Sequence, residues 1–259
     1  MEHVKLELGA VTRVVLNRPA LRNAMSDQTL REISEAFGAI AQTETVRVAV
    51  VTGEGQDFCS GADIQWMKKS GQLPGEEAKR DARLLAEALQ AVDECPVPVV
   101  VAAQGNVFGG GLGLLAAGDI ILLAEGAKLS FSEGRLGLVP AVISRWVLPK
   151  IGEANARRYY LTAELFGARE ALAMGLVHEV VSSSELRAKA EALAGDVLKC
   201  GPRAAREAKA LIAKLGPLTP QARVDLSVET LVRLRSSPEG QEGLSAFLDR
   251  RTPKWTIKA

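Results

Sequence analysis

Residues 99–119 constrain the fold more than any other stretch of this 259-residue chain. An apolar strand (99–103), a connector (104–108), three consecutive glycines (Gly109, Gly110, Gly111) and an apolar helix follow one another with no charge before Asp119. Glycine lets the backbone turn sharply and lets a ligand reach main-chain N–H groups with no side chain between. The first N–H groups of a helix have no intrahelical partner and sit at its positive end. The turn is therefore suited to negative charge, either a bound anion or an oxyanion formed during reaction. Close helix–strand packing would also use glycine, but three in a row cost helix stability, which favours a functional turn.

A second turn of this kind follows another buried strand. Residues 46–52 are apolar apart from Arg47 and the terminal Thr52; Gly53-Glu54-Gly55-Gln56-Asp57 and then Phe58-Cys59-Ser60-Gly61-Ala62-Asp63 come next. Asp63 is suited to capping the helix that carries Ile64, Trp66 and Met67.

With these turns, Leu16-Asn17-Arg18-Pro19, Arg22-Asn23-Ala24-Met25-Ser26 and Ser132-Glu133-Gly134-Arg135-Leu136-Gly137-Leu138-Val139-Pro140 occur in order. Together they resemble the crotonase (enoyl-CoA hydratase/isomerase) superfamily across nearly the whole chain. Trp66-Met67 and Val139-Pro140-Ala141-Val142-Ile143-Ser144 look most like bacterial methylglutaconyl-CoA hydratases. The resemblance implies an α/β fold: a crotonase-like β/β/α spiral core (1–195) with the acyl-CoA site, and a C-terminal helical region (196–259) that makes trimers, often paired into hexamers.

It also implies roles. The N–H groups of Ala62 and Gly110 would form an oxyanion hole for a thioester carbonyl, and Glu133 would move the proton. Backbone groups would then supply the charge stabilisation, with no metal and no cofactor, CoA being part of the substrate. Arg22, Ala24, Asp63 and Ile64 would line the CoA site, and Phe247 and Arg250 would approach it from a neighbouring subunit. The chain departs from the pattern at Gly113, where two-glutamate hydratases carry their first carboxylate. Glu133 would then act alone, or Asp63 or Glu125 would assist, or the reaction would be a double-bond shift without water, as in single-glutamate enoyl-CoA isomerases. The expected reaction is hydration/dehydration between 3-methylglutaconyl-CoA and 3-hydroxy-3-methylglutaryl-CoA. Arg145, Lys68 and Lys69 are candidates for the distal carboxylate of such an acyl group.

The remaining chemistry is sparse. Cys59, Cys95 and Cys200 form no CxxC, and His3 and His178 are the only histidines, which argues against a zinc site or a His-based triad. His178 reads as a surface position on a strand. A net charge of +1 attracts neither nucleic acid nor anionic membrane. No run approaches the ~20 apolar residues of a membrane span. The first residues lack a basic and then apolar leader, so a cytoplasmic location is expected. Gly111-Leu112-Gly113-Leu114-Leu115-Ala116 also fits G-x-G-x-x-A, a dinucleotide-binding pattern, but leaves Ala62 and Glu133 unexplained. An RNA-binding reading is weakened by dispersed basic residues and 4% aromatics, a poor stacking surface.

Periodicity predicts strands at 4–8, 11–16, 119–124 and 128–131. It predicts amphipathic helices at 27–42 and 76–93, and helices at 184–199, 202–215, 220–234 and 238–249. Alternation of strands and helices before residue 184 implies a mostly parallel buried sheet.

Overall fold

A computed structural model describes residues 1–256. Its strands are β1 (Val4–Glu7), β2 (Val11–Leu16), β3 (Val48–Gly53), β4 (Val99–Ala103), β5 (Asn106–Phe108), β6 (Ile120–Ala124), β7 (Lys128–Ser130), β8 (Phe166–Gly167) and β9 (Glu179–Val181). Its helices are α1 (Asp27–Gln42), α2 (Ile64–Ser70), α3 (Gly75–Asp93), α4 (Gly110–Ala117), α5 (Ser144–Thr162), α6 (Ala168–Ala173), α7 (Leu186–Lys199), α8 (Pro202–Leu215), α9 (Pro220–Arg235) and α10 (Pro238–Leu248).

The larger sheet has the order β1-β2-β3-β4-β6-β9, and only β1 and β2 are antiparallel. Strands β3 and β4 are rich in valine and alanine because both faces are covered, as parallel sheets require. Their period of two divides the core. Ala49, Val51, Val99 and Val101 face a large cluster with Leu30, Ile33 and Phe37 of α1 and Leu89 and Val92 of α3. Val48, Val50, Val100 and Ala102 face Leu186, Ala190 and Ala194 of α7 on the other side. Arg47, the charge in the apolar run, stands just before β3. Its guanidinium donates to the carbonyls of Cys200 (2.6 Å), Leu198 (3.4 Å) and Trp255 (3.3 Å), which closes the end of α7 onto the sheet.

The amphipathic helix at 27–42 forms as the periodicity predicts, with Leu30, Ile33, Phe37 and Ile40 buried. Ser26 starts it: its side chain accepts from Thr29 N–H, and Thr29 Oγ1 accepts from Ser26 N–H, a reciprocal cap. The helical region beyond residue 184 is also present. The expected division at 195/196 falls inside α7, whose apolar face belongs to the sheet core. Helices α8–α10 expose Ile212, Val228, Leu231, Phe247 and Leu248. His178 is exposed one residue ahead of β9, and its Nδ1 accepts from Ile121 N–H at 3.0 Å. Among the described residues no helix is long and apolar enough to cross a membrane.

Four elements go beyond the periodicity reading: β5, β8, α5 and α6. The connector at 104–108 contains β5, which joins β7 and β8 in a second, three-stranded sheet. Helix α5 carries Pro149 and is broken at Gly152, whose φ of 72° lies in the left-handed region; that break hides its periodicity.

Candidate active site

The two glycine-bearing turns are stitched to each other and to a third segment. Cys59 pairs with Val107: Cys59 N–H donates to Asn106 O (3.1 Å) and Phe108 N–H donates to Cys59 O (3.0 Å). Phe58 N–H donates to Gln104 O at 2.7 Å. Asp57 Oδ1 accepts from both the backbone and the side-chain amide of Asn106, at 2.8 and 2.7 Å. On the other side Ala62 pairs with Met25. Met25 N–H donates to Gly61 O and Asp63 N–H donates to Met25 O, both at 2.8 Å. Asn23, buried with φ of 55°, ties the third segment in by donating to the carbonyls of Glu54 (2.9 Å) and Asp57 (2.8 Å).

Ala62 and Gly110 are among the main-chain donors this lattice leaves over. Among the described residues, neither Ala62 N–H nor Gly110 N–H has a hydrogen-bond partner. Gly110 is the first residue of α4, so its N–H also lies at the positive end of that helix.

Glu133 reaches the same place from the far side. Gly109 N–H donates to Ser130 O at 3.0 Å, which holds the end of β7 against the turn. A short 3-10 helix, Ser132–Leu136, follows and carries Glu133. Gly109 has φ of 46°, and a Cβ on it would stand 3.0 Å from Glu133 Oε1 and 3.4 Å from its Cδ. The missing side chain is therefore what gives the carboxylate its space. Glu133 Oε2 is buried with no hydrogen-bond partner. Burial holds this carboxyl above the usual carboxylate range, against a smaller opposing effect from its own backbone.

Position 113 has no space for a second acid. A Cβ on Gly113 would stand 2.4 Å from Ile143 Cγ2 and 2.9 Å from Leu89 Cδ1. Gly111 is equally enclosed, its Cβ position lying 2.7 Å from Cys59 O. The G-x-G pair thus faces protein, not an open phosphate site, which removes the dinucleotide reading. Cys59 is no nucleophile either, since burial pushes its thiol up to about 12.

The other predicted residues are placed as follows. Asp63 accepts from Gln65 N–H (3.0 Å) and Trp66 N–H (3.4 Å) to cap α2, and its Oδ2 lies 3.2 Å from Arg18. Burial opposes ionisation there, but these donors and the guanidinium hold Asp63 below its usual value, so its carboxylate is committed. Arg22 is exposed, with Nε 3.8 Å from Asp57. Ala24 is half-buried, and Ile64 and Phe247 are exposed, Phe247 at 83%. Glu125 is exposed on the turn after β6. Arg145 is exposed, with its guanidinium 4.0 Å from Asp93 and 3.9 Å from Glu94 at the end of α3, and Lys68 and Lys69 are exposed at the end of α2. Two clefts, of about 690 and 770 Å³, lie elsewhere: one is lined by Arg13, Gln104 and Glu191, the other by Asp119, Arg206 and Lys209. Neither is lined by Ala62, Gly110 or Glu133, so the polar arrangement, not cavity size, marks the site.

Sequence reasoning missed the wall opposite Gly113. Ile143 stands against Gly113, and its neighbour Ser144 meets Tyr160 because α5 folds back at Gly152; nothing in their spacing announces it.

The chain matches the enoyl-CoA hydratase/isomerase family model over residues 7–258. The crotonyl-CoA hydratase of Syntrophomonas wolfei is 31% identical over 246 residues, covering 94% of this chain and 93% of that protein. The carnitinyl-CoA dehydratase of Proteus mirabilis is 30% identical over 253 residues, covering 95% of each. The crystal structure of an enoyl-CoA hydratase from Shewanella pealeana superposes with a TM-score of 0.93 at 34% identity, covering 98% of this chain and 96% of that one. The chain belongs to the enoyl-CoA hydratase/isomerase family and has the crotonase fold expected from its motifs. Membership agrees with an acyl-CoA substrate and hydratase-type lyase chemistry.

Two outcomes follow from this geometry. Gly113→Ala should destabilise the protein by about 1–3 kcal/mol despite alanine's better helix propensity. Ile143→Ala should also destabilise it, and the double variant should lose less than the sum, as read by urea denaturation. Glu133→Gln tests the buried charge. A carboxyl with a raised folded-state pKa contributes stability below its unfolded value, near 4.5, and loses it as pH rises through the folded value. The variant should therefore melt no lower than the wild type at pH 8, with any gain shrinking towards pH 4.

Proposed function

We propose that this protein is an acyl-CoA hydro-lyase that interconverts 3-methylglutaconyl-CoA and 3-hydroxy-3-methylglutaryl-CoA. The observation that carries the reading is the pairing of two free main-chain donors with one buried, unpartnered carboxylate. A thioester has an acidic α-carbon only when charge on its oxygen is stabilised. Ala62 and Gly110 N–H would hold that oxygen without reorganising, and losing one such donor costs about 10²–10³ in rate.

In the dehydration direction, ionised Glu133 takes the α-proton, and the enolate is held at Ala62 and Gly110. The β-carbon–oxygen bond then breaks, and the same carboxyl gives the proton to the leaving hydroxyl on that face, so that the alkene and water leave and Glu133 is ionised again. Hydration runs the same steps backwards. A desolvated carboxylate is a stronger base than an exposed one, which suits abstraction from carbon. CoA would run along Arg22, Ala24, Asp63 and Ile64, using backbone at Asp63 because its side chain is committed. Exposed Phe247 and Leu248 suit a neighbouring subunit in a trimer or hexamer, in the cytoplasm. Resemblance at Trp66-Met67 and 139–144 supports the acyl assignment. The relatives at about the same identity are named for different acyl groups, so overall similarity does not choose between them.

A second reading is a Δ3-Δ2 enoyl-CoA isomerase. The closure of position 113 favours it, because a double-bond shift moves one proton between two carbons and needs one carboxylate. Following alkene absorbance with both candidate substrates separates the two. The hydro-lyase reading expects 3-methylglutaconyl-CoA to lose its absorbance, with Glu133→Gln slower by at least about 10². Isomerisation of a 3-enoyl-CoA without any hydration would contradict it. The turnover of dehydration should also rise with pH through a value above the ordinary carboxylate range, since the ionised form is the base.

A further inference from the structure

We propose that the Tyr160 hydroxyl, oriented by Ser144, is the second group that holds the attacking water opposite Glu133. The proposal rests on the hydro-lyase reading. A single carboxylate can accept only one of the two protons of a water. The other must also be held if a lone pair is to stay aimed at the β-carbon. Position 113 cannot supply that acceptor, because Ile143 fills it.

The residue after Ile143 brings a hydroxyl in instead. Ser144 Oγ lies 2.5 Å from Pro140 O and 3.2 Å from the Tyr160 hydroxyl. In a straight helix residues 144 and 160 would be about 24 Å apart. They touch because the backbone reverses at Gly152, with φ of 72° and ψ of 165°. The Tyr160 ring then packs edge-on against Phe131, with ring centroids 4.7 Å apart, and Phe131 immediately precedes the 3-10 helix that carries Glu133. Tyr160 is half-buried against the core, and Gly134, next to Glu133, packs on its backbone carbonyl.

Proton accounting sets the direction. Serine has one proton, and the shorter contact, to the Pro140 carbonyl, takes it. The phenol therefore donates to Ser144 Oγ, which leaves a lone pair on the tyrosine oxygen as an acceptor. Burial, and to a lesser degree the charge of Glu133, raises the phenol above its usual value, so it stays protonated. During hydration one proton of water goes to Glu133 and from there to the α-carbon. The water oxygen bonds to the β-carbon, and the second proton, held meanwhile on Tyr160, stays with the product hydroxyl. Tyr160 neither gains nor loses a proton.

The test divides the reaction. Hydration is measured with crotonyl-CoA and 3-methylglutaconyl-CoA, using whichever the wild type hydrates faster. Proton transfer alone is measured as deuterium exchange at the α-carbon of butyryl-CoA in D₂O, which needs the oxyanion donors and Glu133 but no β-oxygen. Tyr160→Phe should lower kcat for hydration at least about 10-fold and leave exchange within about 2-fold, the scale of losing one hydrogen bond to the reacting water. Ser144→Ala should shift the two measurements the same way by less. Parallel loss of hydration and exchange would mean that Tyr160 only supports Glu133 and would overturn the proposal. So would unchanged hydration. A wild type that exchanges butyryl-CoA but hydrates neither alkene would sink the hydro-lyase reading itself, and the water role with it.

Discussion

The N–H groups of Ala62 and Gly110 are held without partners by the hydrogen bonds of the segments around them. Buried backbone groups otherwise find partners, at a cost of about 1–3 kcal/mol when they do not. The segments at 23–25, 57–63 and 104–110 are fixed through bonds to one another. Asn106 is held by Asp57, Cys59 by Asn106 and Phe108, and Met25 by Gly61 and Asp63. Those bonds fix the backbone on either side of Ala62, and the bond from Gly109 N–H to Ser130 O fixes it ahead of Gly110. The two N–H groups are thus held in fixed positions before any ligand arrives, which is the physical meaning of preorganisation here.

The carboxylate is placed by the same logic. Gly109 N–H holds β7, β7 leads into the turn, and the bare Cα of Gly109 leaves space for Glu133. Its Oε2 is buried without a partner. Such a group is a local cost to folding, offset by the double-sided packing of the parallel sheet on which both turns stand. Filling position 113 with Ile143 removes a second acid from that space. It also joins the α4 turn to α5, whose break at Gly152 sets a serine–tyrosine pair nearby.

Much of this was legible in the residues. The strand–glycine–helix unit at 99–117, the amphipathic helix at 27–42 and the helices begun by Pro202, Pro220 and Pro238 depend on local rules: β-branched runs, 3.6-residue periodicity, and proline in a first turn. Gly110 and Glu133 were nameable from motifs, and the structure brings Glu133 against the glycine turn. The rest depends on contacts distant in sequence. β5 is three residues long and exists by pairing with β7. The closure of Gly113 depends on Ile143, thirty residues away, and the Ser144–Tyr160 contact depends on one glycine's φ. Arg145, a candidate for a distal carboxylate, is exposed and lies within 4.0 Å of Asp93 and Glu94, a neighbourhood set by the packing of α5 on α3 and absent from its local sequence.

A crystal structure of the protein with a bound acyl-CoA thioester analogue tests the central claim most directly. The carbonyl oxygen should lie within about 2.7–3.1 Å of both Ala62 N and Gly110 N, with the α-carbon facing the Glu133 carboxylate. A carbonyl bound away from these two amides, with both still unpartnered, would contradict it.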